Sequence, residues 1–233
     1  MYDTTDDGLD LVYLVVGKMT QLMAQLKPLD TVEIWGPLGN GFPSYAGVDH
    51  LVLVAGGIGQ TPFPALAQRA LGRKGYSSDA PGAEVKRISL LYGARTAELF
   101  AGLDDFRAAG VEVQLATDDG SHGFRGFVTQ LLETKLSDRA KSQKPGFFEK
   151  PGFLGGSAHL VGCGPEPMLH ALAALAQKHH LPCHLSLETP MACGVGICFS
   201  CVTRVKTADG WDYRRVCVDG PVFDVNELVW ASR

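Results

Sequence analysis

The sequence has little of what would mark a membrane, secreted or nucleic-acid-binding protein. Its apolar runs are only a few residues long, as at 51–55, whereas a bilayer span needs about 20 apolar residues. It has no basic cluster, and 21 Lys and Arg against 25 Asp and Glu give a net charge of −4, so no nucleic-acid partner is expected. No signal peptide is recognised, and six cysteines in 233 residues are too few for a disulfide-dense secreted fold. These absences predict no membrane association and a reducing compartment, with the cytoplasm as the default.

Four of the six cysteines form a metal-ligand pattern near the C-terminus. Cys193, Cys198 and Cys201 have the spacing C-x4-C-x2-C, and Cys217 follows after fifteen intervening residues. This is the plant-type ligand spacing of a [2Fe–2S] cluster. The glycines between the first two cysteines let one loop curl around the cluster and direct amide N–H groups at the sulfurs. The pattern therefore predicts a carrier of single electrons.

Zinc and disulfides are the alternatives for these cysteines. Structural zinc sites usually pair one short Cys-x2-4-Cys knuckle with a second, whereas here three ligands crowd one loop and only Cys217 is distant. Disulfides are not favoured in a chain of this cysteine content. The iron–sulfur interpretation is the prediction that we carry forward.

From residue 50 the chain alternates predicted strands and helices. Such alternation with crossovers predicts a parallel sheet with helices on both faces. Before it, we predict a buried strand over 11–16, a short helix over 21–26 and a strand over 31–35. Residues 137–156 break the alternation and are predicted to be a surface excursion, although their aromatics could instead dock a partner. The predicted strands of the sheet are 50–55, 87–93, 111–117, 158–162 and 181–187, and the predicted helices are 63–71, 97–109, 127–136 and 166–179.

Two glycine-containing motifs each follow a predicted strand and open a helix. In such a sheet, ligands bind beyond the carboxyl ends of the strands, where a helix N-terminus can meet a phosphate. The first motif is weak alone, because a tight strand-to-helix turn also needs glycine and the G-x-G-x-x-G fingerprint is absent. In the second motif, Cys163 is predicted to face a nucleotide rather than bind the cluster. The alternative is that Cys163 is simply a small buried residue. Cys183 is predicted to lie in the core. The motifs are Gly56, Gly57, Ile58 and Gly59, and Cys163, Gly164 and Pro165.

With these motifs in order, the chain resembles the electron-transfer subunit of class 1B dihydroorotate dehydrogenase, in the ferredoxin–NADP reductase superfamily. The resemblance spans nearly the whole chain. Its most specific segments are 191–201 and 215–223, around the four cysteines. The further supporting segments are 17–20, 36–42, 56–59, 163–165 and 186–188.

The resemblance implies an α/β plus β fold in three parts. They are an incomplete flavin-binding β-barrel over 1–46, a ferredoxin-reductase-like parallel α/β domain that binds NAD over 47–188, and a small [2Fe–2S] domain over 189–233. Residues 56–59 and 163–165 would face the nicotinamide nucleotide. The residues implied to border FAD are Val12, Tyr13, Leu14, Met19 and Thr20.

The chain departs from the family at its start. Family members begin with several barrel strands and an Arg-Pro-x-Ser-like flavin motif, and this sequence begins after that point, which we interpret as a truncation. Met19 also stands where the family usually has glycine, and Thr189-Pro190 replaces a charged pair. Because a sheet without its partner strands exposes edges and loses core, we predict weak or absent FAD binding.

The resemblance also implies a path for electrons. They would pass from dihydroorotate to the FMN of a separate catalytic subunit, then to this chain's cluster, to FAD and to NAD⁺, in pyrimidine (UMP) biosynthesis. The assembly would be a heterotetramer with two copies of each subunit, and this chain would contribute no catalytic acid or base. The alternatives are a related NAD(P)H:acceptor subunit of the sulfide dehydrogenase or hydrogenase type, and a zinc-stabilised interaction module. NAD and NADP are not distinguished, because Asp118-Asp119 fits either a ribose contact or a solvated turn.

Overall fold

The computed structural model describes residues 2–5, 7–76, 82–142 and 156–230, and for 138–142 it describes the backbone alone. Short 3₁₀ turns lie at Gly57–Gln60 and Ala97–Leu99. The helices are α1 Lys18–Met23, α2 Phe63–Ala70, α3 Leu103–Ala108, α4 Val128–Ser142 and α5 Glu166–Lys178. The strands are β1 Asp3–Thr5, β2 Gly8–Asp10, β3 Val48–Gly56, β4 Val85–Ala94, β5 Glu112–Thr117, β6 Phe124–Arg125, β7 Ala158–Cys163, β8 Cys183–Ser186, β9 Val202–Thr207, β10 Gly210–Arg215 and β11 Val222–Asp224.

The centre of the fold is a seven-stranded sheet in the order β11-β8-β7-β3-β4-β5-β6. All neighbours are parallel except β11, which pairs antiparallel with β8. Alternate residues of the central strand β3 enter two different cores: Val52 and Val54 pack with α4 and α5, and Leu51 and Leu53 pack with α2 and α3. Burial of both faces explains why this strand is continuously apolar. The predicted parallel sheet with helices on both faces is confirmed.

Two predicted helices differ from those in the structure. The segment 97–109 contains a 3₁₀ turn and then α3, because Gly102 between them adopts a left-handed conformation with φ +70°. Helix α4 continues to Ser142, so the predicted helix end at residue 136 is wrong, whereas the surface excursion at 137–156 stays a prediction. Its aromatic stretch at 147–153 lies outside the described residues.

The two strands predicted before the sheet are absent. Residues 11–16 and 31–35 form no strand and are exposed, with Val16 at 81% and Trp35 at 77% of full accessibility. A strand exists only by pairing, and no described residue pairs with either segment. The short helix between them begins at Lys18 rather than at residue 21. Its start is fixed by Thr20, whose hydroxyl accepts the backbone N–H groups of Val16 and Gly17 at 3.0 and 3.1 Å.

The C-terminal segment shares its core with the sheet. Strands β9 and β10 form an antiparallel hairpin, and β11 adds to the edge of the sheet. Val205, Val216 and Phe223 belong to the same buried cluster as Leu172 of α5. The proposed boundary at 188/189 stays a prediction. In the described part of the chain, no helix has the length and apolar character needed to cross a membrane.

Candidate functional site

The β9–β10 hairpin brings together cysteines that are distant in sequence. Cys201 immediately precedes β9, and Cys217 lies two residues after β10. The strands pair Val202 with Arg215, and the Val216 N–H donates to the Cys201 carbonyl oxygen at 2.7 Å. Both residues are buried, with exposures of 2% and 4%. The hairpin register therefore delivers the fourth cysteine to the loop that carries the other three.

The four thiols are arranged as two pairs. The Cys198 N–H donates to Cys193 Sγ at 3.5 Å, and amide donors from Cys198 and Val195 lower the pKa of the Cys193 thiol to about 6. In the second pair, a hydrogen bond between the thiols of Cys201 and Cys217 lowers the pKa of Cys201 and raises that of Cys217. Amide donors that stabilise a thiolate also stabilise a metal-bound sulfur.

This pairing fits a cluster with two irons. Each iron of a [2Fe–2S] cluster takes two of the four cysteine ligands, whereas a structural zinc ion needs all four around one centre. Among the described residues, no three metal-binding side chains converge on a single point. The two thiol pairs are consistent with the ligand set of a [2Fe–2S] cluster.

The loop around the cysteines depends on glycines. Gly194 and Gly196 have φ of +69° and +82°, a region that other residues adopt at a cost. At Gly196 space is restricted as well, since an added Cβ would lie 2.6 Å from Val218 Cγ2. The predicted role of these glycines in curling the loop is consistent with this geometry.

An Arg–Asp clamp, to which the sequence analysis gave no role, holds this loop. The Arg215 guanidinium donates to the Gly196 carbonyl oxygen and to Asp219 Oδ2, both at 3.2 Å. Asp219 Oδ2 also accepts the Arg215 backbone N–H at 2.8 Å. Arg215 thereby joins the cluster loop to the segment that carries Cys217. In the sequence, the one indication of this role is that Arg215 and Asp219 both lie in segment 215–223, on which the family resemblance partly rests.

A second connection links the cluster segment to the loop over 36–42. The Asn40 side-chain amide donates to the carbonyl oxygens of Val218 and Asp219, each at 3.2 Å. The Asn40 backbone N–H donates to the Gly220 carbonyl oxygen at 2.5 Å. These bonds place the 36–42 loop, one of the segments that support the resemblance, directly beside the cluster segment.

The two nucleotide motifs meet at the carboxyl edge of the sheet. Strands β3 and β7 are neighbours, with Ala55 opposite Cys163, so Gly56 and Gly164 emerge side by side. A Cβ on Gly164 would lie 2.9 Å from the Gly56 nitrogen, and a Cβ on Gly59 would collide with the Cys163 carbonyl oxygen. Glycine is thus required for the two backbones to approach, and the motifs form one surface with Gly57, Ile58 and Pro165.

Cys163 belongs to this edge and not to the cluster. Burial raises the pKa of its thiol to about 11, the nearby Glu188 carboxylate acts in the same direction, and a hydrogen bond with Ser186 opposes them. The predicted contact between Cys163 and a nucleotide stays a prediction. Cys183 is fully buried in β8, as predicted.

The residues predicted to border FAD are not enclosed. Val12, Tyr13, Leu14 and Met19 are 44%, 38%, 54% and 66% exposed, and the Thr20 hydroxyl is engaged in capping α1. The described residues provide no second wall facing them. FAD contact by these five residues stays a prediction.

The acidic pair after β5 forms a turn. Asp119 Oδ1 accepts the backbone N–H and the hydroxyl of Ser121 at 2.9 and 2.7 Å, and these bonds lower the Asp119 pKa. This geometry favours the solvated-turn interpretation over a ribose contact for Asp119.

Comparison with known proteins agrees with this site. The family described as the iron–sulfur cluster binding domain of dihydroorotate dehydrogenase B matches residues 188–229. The chain is 40% identical over 221 residues to a Bacillus caldolyticus protein named dihydroorotate dehydrogenase B (NAD(+)), electron transfer subunit, covering 94% of this chain and 73% of the relative. The relative of that name from Caldanaerobacter subterraneus is 34% identical, with coverage of 98% and 78%.

Solved structures show the same fold. The structure of an NADH-dependent reduced ferredoxin–NADP oxidoreductase, studied for flavin-based electron bifurcation, matches with a TM-score of 0.69 and 27% identity, covering 93% of this chain and 67% of that one. A mutant ferredoxin–NADP⁺ reductase from Plasmodium falciparum matches with a TM-score of 0.51 and 14% identity, covering 70% and 61%. The fold is therefore that of the ferredoxin reductases with an added C-terminal iron–sulfur domain. With its paired cysteines, its nucleotide edge and its curated relatives, the chain belongs to the family of electron-transfer subunits of dihydroorotate dehydrogenase B.

Proposed function

We propose that this chain transfers electrons from a dihydroorotate dehydrogenase catalytic subunit, through a [2Fe–2S] cluster and FAD, to NAD⁺. The observation that carries the proposal is the arrangement of the cluster cysteines as two pairs on a loop and hairpin. The names of the curated relatives supply the reaction and the acceptor.

The cofactors differ in the number of electrons that they exchange. A [2Fe–2S] cluster supplies one-electron transfer, nicotinamide accepts a hydride, and a flavin can do both, which is why flavin stands between the other two. The protein's part is to bind, orient and tune them. Cys193, Cys198, Cys201 and Cys217 would hold the cluster, and the loop amides that donate to sulfur would raise its reduction potential. No acid or base is assigned, since the oxidation of dihydroorotate belongs to the partner.

The nicotinamide nucleotide would bind at the edge formed by Gly56–Gly59 and Cys163–Pro165. The two motifs approach closely there because Gly56, Gly59 and Gly164 have no Cβ, and the 3₁₀ turn at Gly57–Gln60 leads into α2. Val12–Leu14, Met19 and Thr20 would border FAD. Because they are largely exposed, we expect this chain to hold FAD weakly.

The relatives' designation as a subunit implies a catalytic partner. We propose that the partner contains FMN, that two copies of each subunit assemble, and that the complex serves pyrimidine synthesis in the cytoplasm. A reducing compartment would keep the cluster cysteines available as thiolates.

The first experiment is to reconstitute the chain with iron and sulfide and to quantify both. Two irons and two sulfides per chain, with visible absorption bleached by dithionite, are expected. Cys198→Ser removes an exposed ligand and should abolish the absorption, whereas Cys163→Ser serves as the matched control and should retain it. A colourless protein that binds one zinc per chain would overturn the proposal.

One observation favours a second candidate function, in which the electron donor is a protein other than a dihydroorotate dehydrogenase subunit. The similarity to a reduced ferredoxin–NADP oxidoreductase fits a related NAD(P)H:acceptor subunit. The reconstituted chain, mixed with the catalytic dihydroorotate dehydrogenase subunit, should have its cluster reduced by dihydroorotate. Reduction by ferredoxin but not by dihydroorotate would favour this alternative.

A further inference from the structure

One face of the β9–β10 hairpin is aromatic and basic. Directly opposed residues share a face of a two-stranded sheet, and the register pairs Trp211 with Lys206 and Tyr213 with Arg204. Arg215, two residues beyond Tyr213, extends the same face. Asp212, the one carboxylate within the two strands, projects from the opposite face with Arg214, and Asp219, beyond the hairpin, is bonded to Arg215. We call the set Arg204, Lys206, Trp211, Tyr213 and Arg215 the hairpin face.

The two aromatic side chains of the hairpin face are exposed and are held in place by their neighbours. Trp211 and Tyr213 are 47% and 45% exposed. Their rings meet edge to face with centroids 5.2 Å apart, and the Arg204 guanidinium lies 4.3 Å from the centre of the Trp211 ring. Trp, Tyr and Arg are the residues that most often dominate binding energy in protein interfaces. Because they are preorganised, little conformational entropy would be lost on binding.

The hairpin face is continuous with the cluster loop. Arg215 lies 5.3 Å from the centre of the Phe199 ring, which is 60% exposed and sits between Cys198 and Cys201. The Arg215 guanidinium also bonds to the Gly196 carbonyl oxygen. A molecule covering the aromatic residues of the hairpin would thus lie next to the exposed cysteines Cys193 and Cys198.

The charge of the face indicates the chemistry of its occupant. The chain as a whole is acidic, with a net charge of −4. The hairpin face, by contrast, carries Arg204 and Lys206, in addition to Arg215, whose charge is paired with Asp219. A second copy bound through the same face would bring like charges together, because a two-fold contact opposes identical patches. An acidic protein surface with an apolar centre would complement both the cations and the rings.

We propose that the hairpin face is the docking surface for the electron-donating partner, a protein that presents acidic side chains around an apolar patch. The inference rests on the proposed function, because it takes the catalytic dihydroorotate dehydrogenase subunit as that partner. It adds the surface that positions the partner beside the cluster and the charge that steers it there.

The test compares charge reversals on the two faces of one hairpin. Arg204→Glu changes the hairpin face, and Arg214→Glu makes the same change on the opposite face. Binding of each reconstituted chain to the catalytic subunit is measured by calorimetry at several salt concentrations. We expect Arg204→Glu and Trp211→Ala each to weaken binding about tenfold or more, and Arg214→Glu to change it by less than about threefold. Cluster absorption and thermal unfolding of every variant exclude loss of the fold.

The outcomes separate the two proposals. If the wild-type chain does not bind the catalytic subunit, the proposed function fails and the docking inference fails with it. If the wild type binds and the two charge reversals weaken binding equally, only the docking face is wrong. A concentration-dependent homodimer that Arg204→Glu abolishes would assign the face to a second copy of this chain and would also overturn the inference.

Discussion

Arg215 joins the cluster loop to the strand end that carries the fourth cysteine, and its removal should release the cluster. Its guanidinium donates to Asp219 Oδ2 and to the Gly196 carbonyl oxygen, both at 3.2 Å. Replacement by methionine keeps an unbranched side chain of similar length but removes both bonds. We therefore expect Arg215→Met to loosen the loop while leaving the central sheet intact.

The size of the effect follows from the exposure of the pair. The Arg215 and Asp219 side chains are 32% and 30% exposed, so each lost bond, although charge-assisted, is screened by solvent and contributes about 1 kcal/mol. The two bonds together amount to about 2 kcal/mol, which corresponds to a roughly 30-fold increase in the population of the open loop. The rate at which a chelator removes iron should rise by up to that factor.

The assay follows the decay of cluster absorption in excess EDTA, alongside thermal unfolding of the protein. Arg214→Met is the matched control. Its ion pair with Asp212, at 3.8 Å, is exposed and should contribute little, and its charge lowers the pKa of Asp219 less than that of Arg215 does. Equal decay rates for Arg215→Met and Arg214→Met would refute the clamp. Arg215→Lys should rescue only partly, since one ammonium cannot reproduce the planar fork.

Three further predictions concern other parts of the fold. Gly59→Ala would place a Cβ 2.5 Å from the Cys163 carbonyl carbon. We expect this substitution to weaken nucleotide binding about tenfold or more in an NADH titration. Unchanged affinity would contradict the proposed contact between the motifs. Burial and the neighbouring His184 lower the pKa of His159 to about 4. Between this value and the ordinary histidine pKa, the unfolded chain binds a proton that the folded chain does not. The free energy of unfolding should therefore fall on the order of 1–2 kcal/mol as the pH drops from about 6.5 to 4. Denaturant melts across that range should show the fall, and a His159→Asn variant with the same pH slope would exclude this cause. Asn40→Ala removes two side-chain hydrogen bonds to the cluster segment and should cost about 1–3 kcal/mol in unfolding free energy; a melting temperature equal to the wild type's would show that these bonds are not needed.

The sequence determined those features that depend on local spacing. The ligand pattern of Cys193, Cys198 and Cys201 needs only a short loop, and the continuous apolar run of β3 requires burial on both faces wherever the strand lies. Residues 11–16 have a similar apolar run, yet they form no strand and are exposed. The difference is that β3 has β4 and β7 as neighbours, and strand pairing is a property of the fold rather than of the run itself.

Tertiary structure alone decided how the separate motifs meet. Gly59 and Cys163 are far apart in sequence and touch because β3 and β7 are adjacent in the sheet. The hairpin register brings Cys217 to Cys201, and Arg215 gains its role only because that register also places it beside Gly196. A sequence pattern specifies which ligands and turns are available, but contacts between distant residues depend on strand order and register, which only the folded chain establishes.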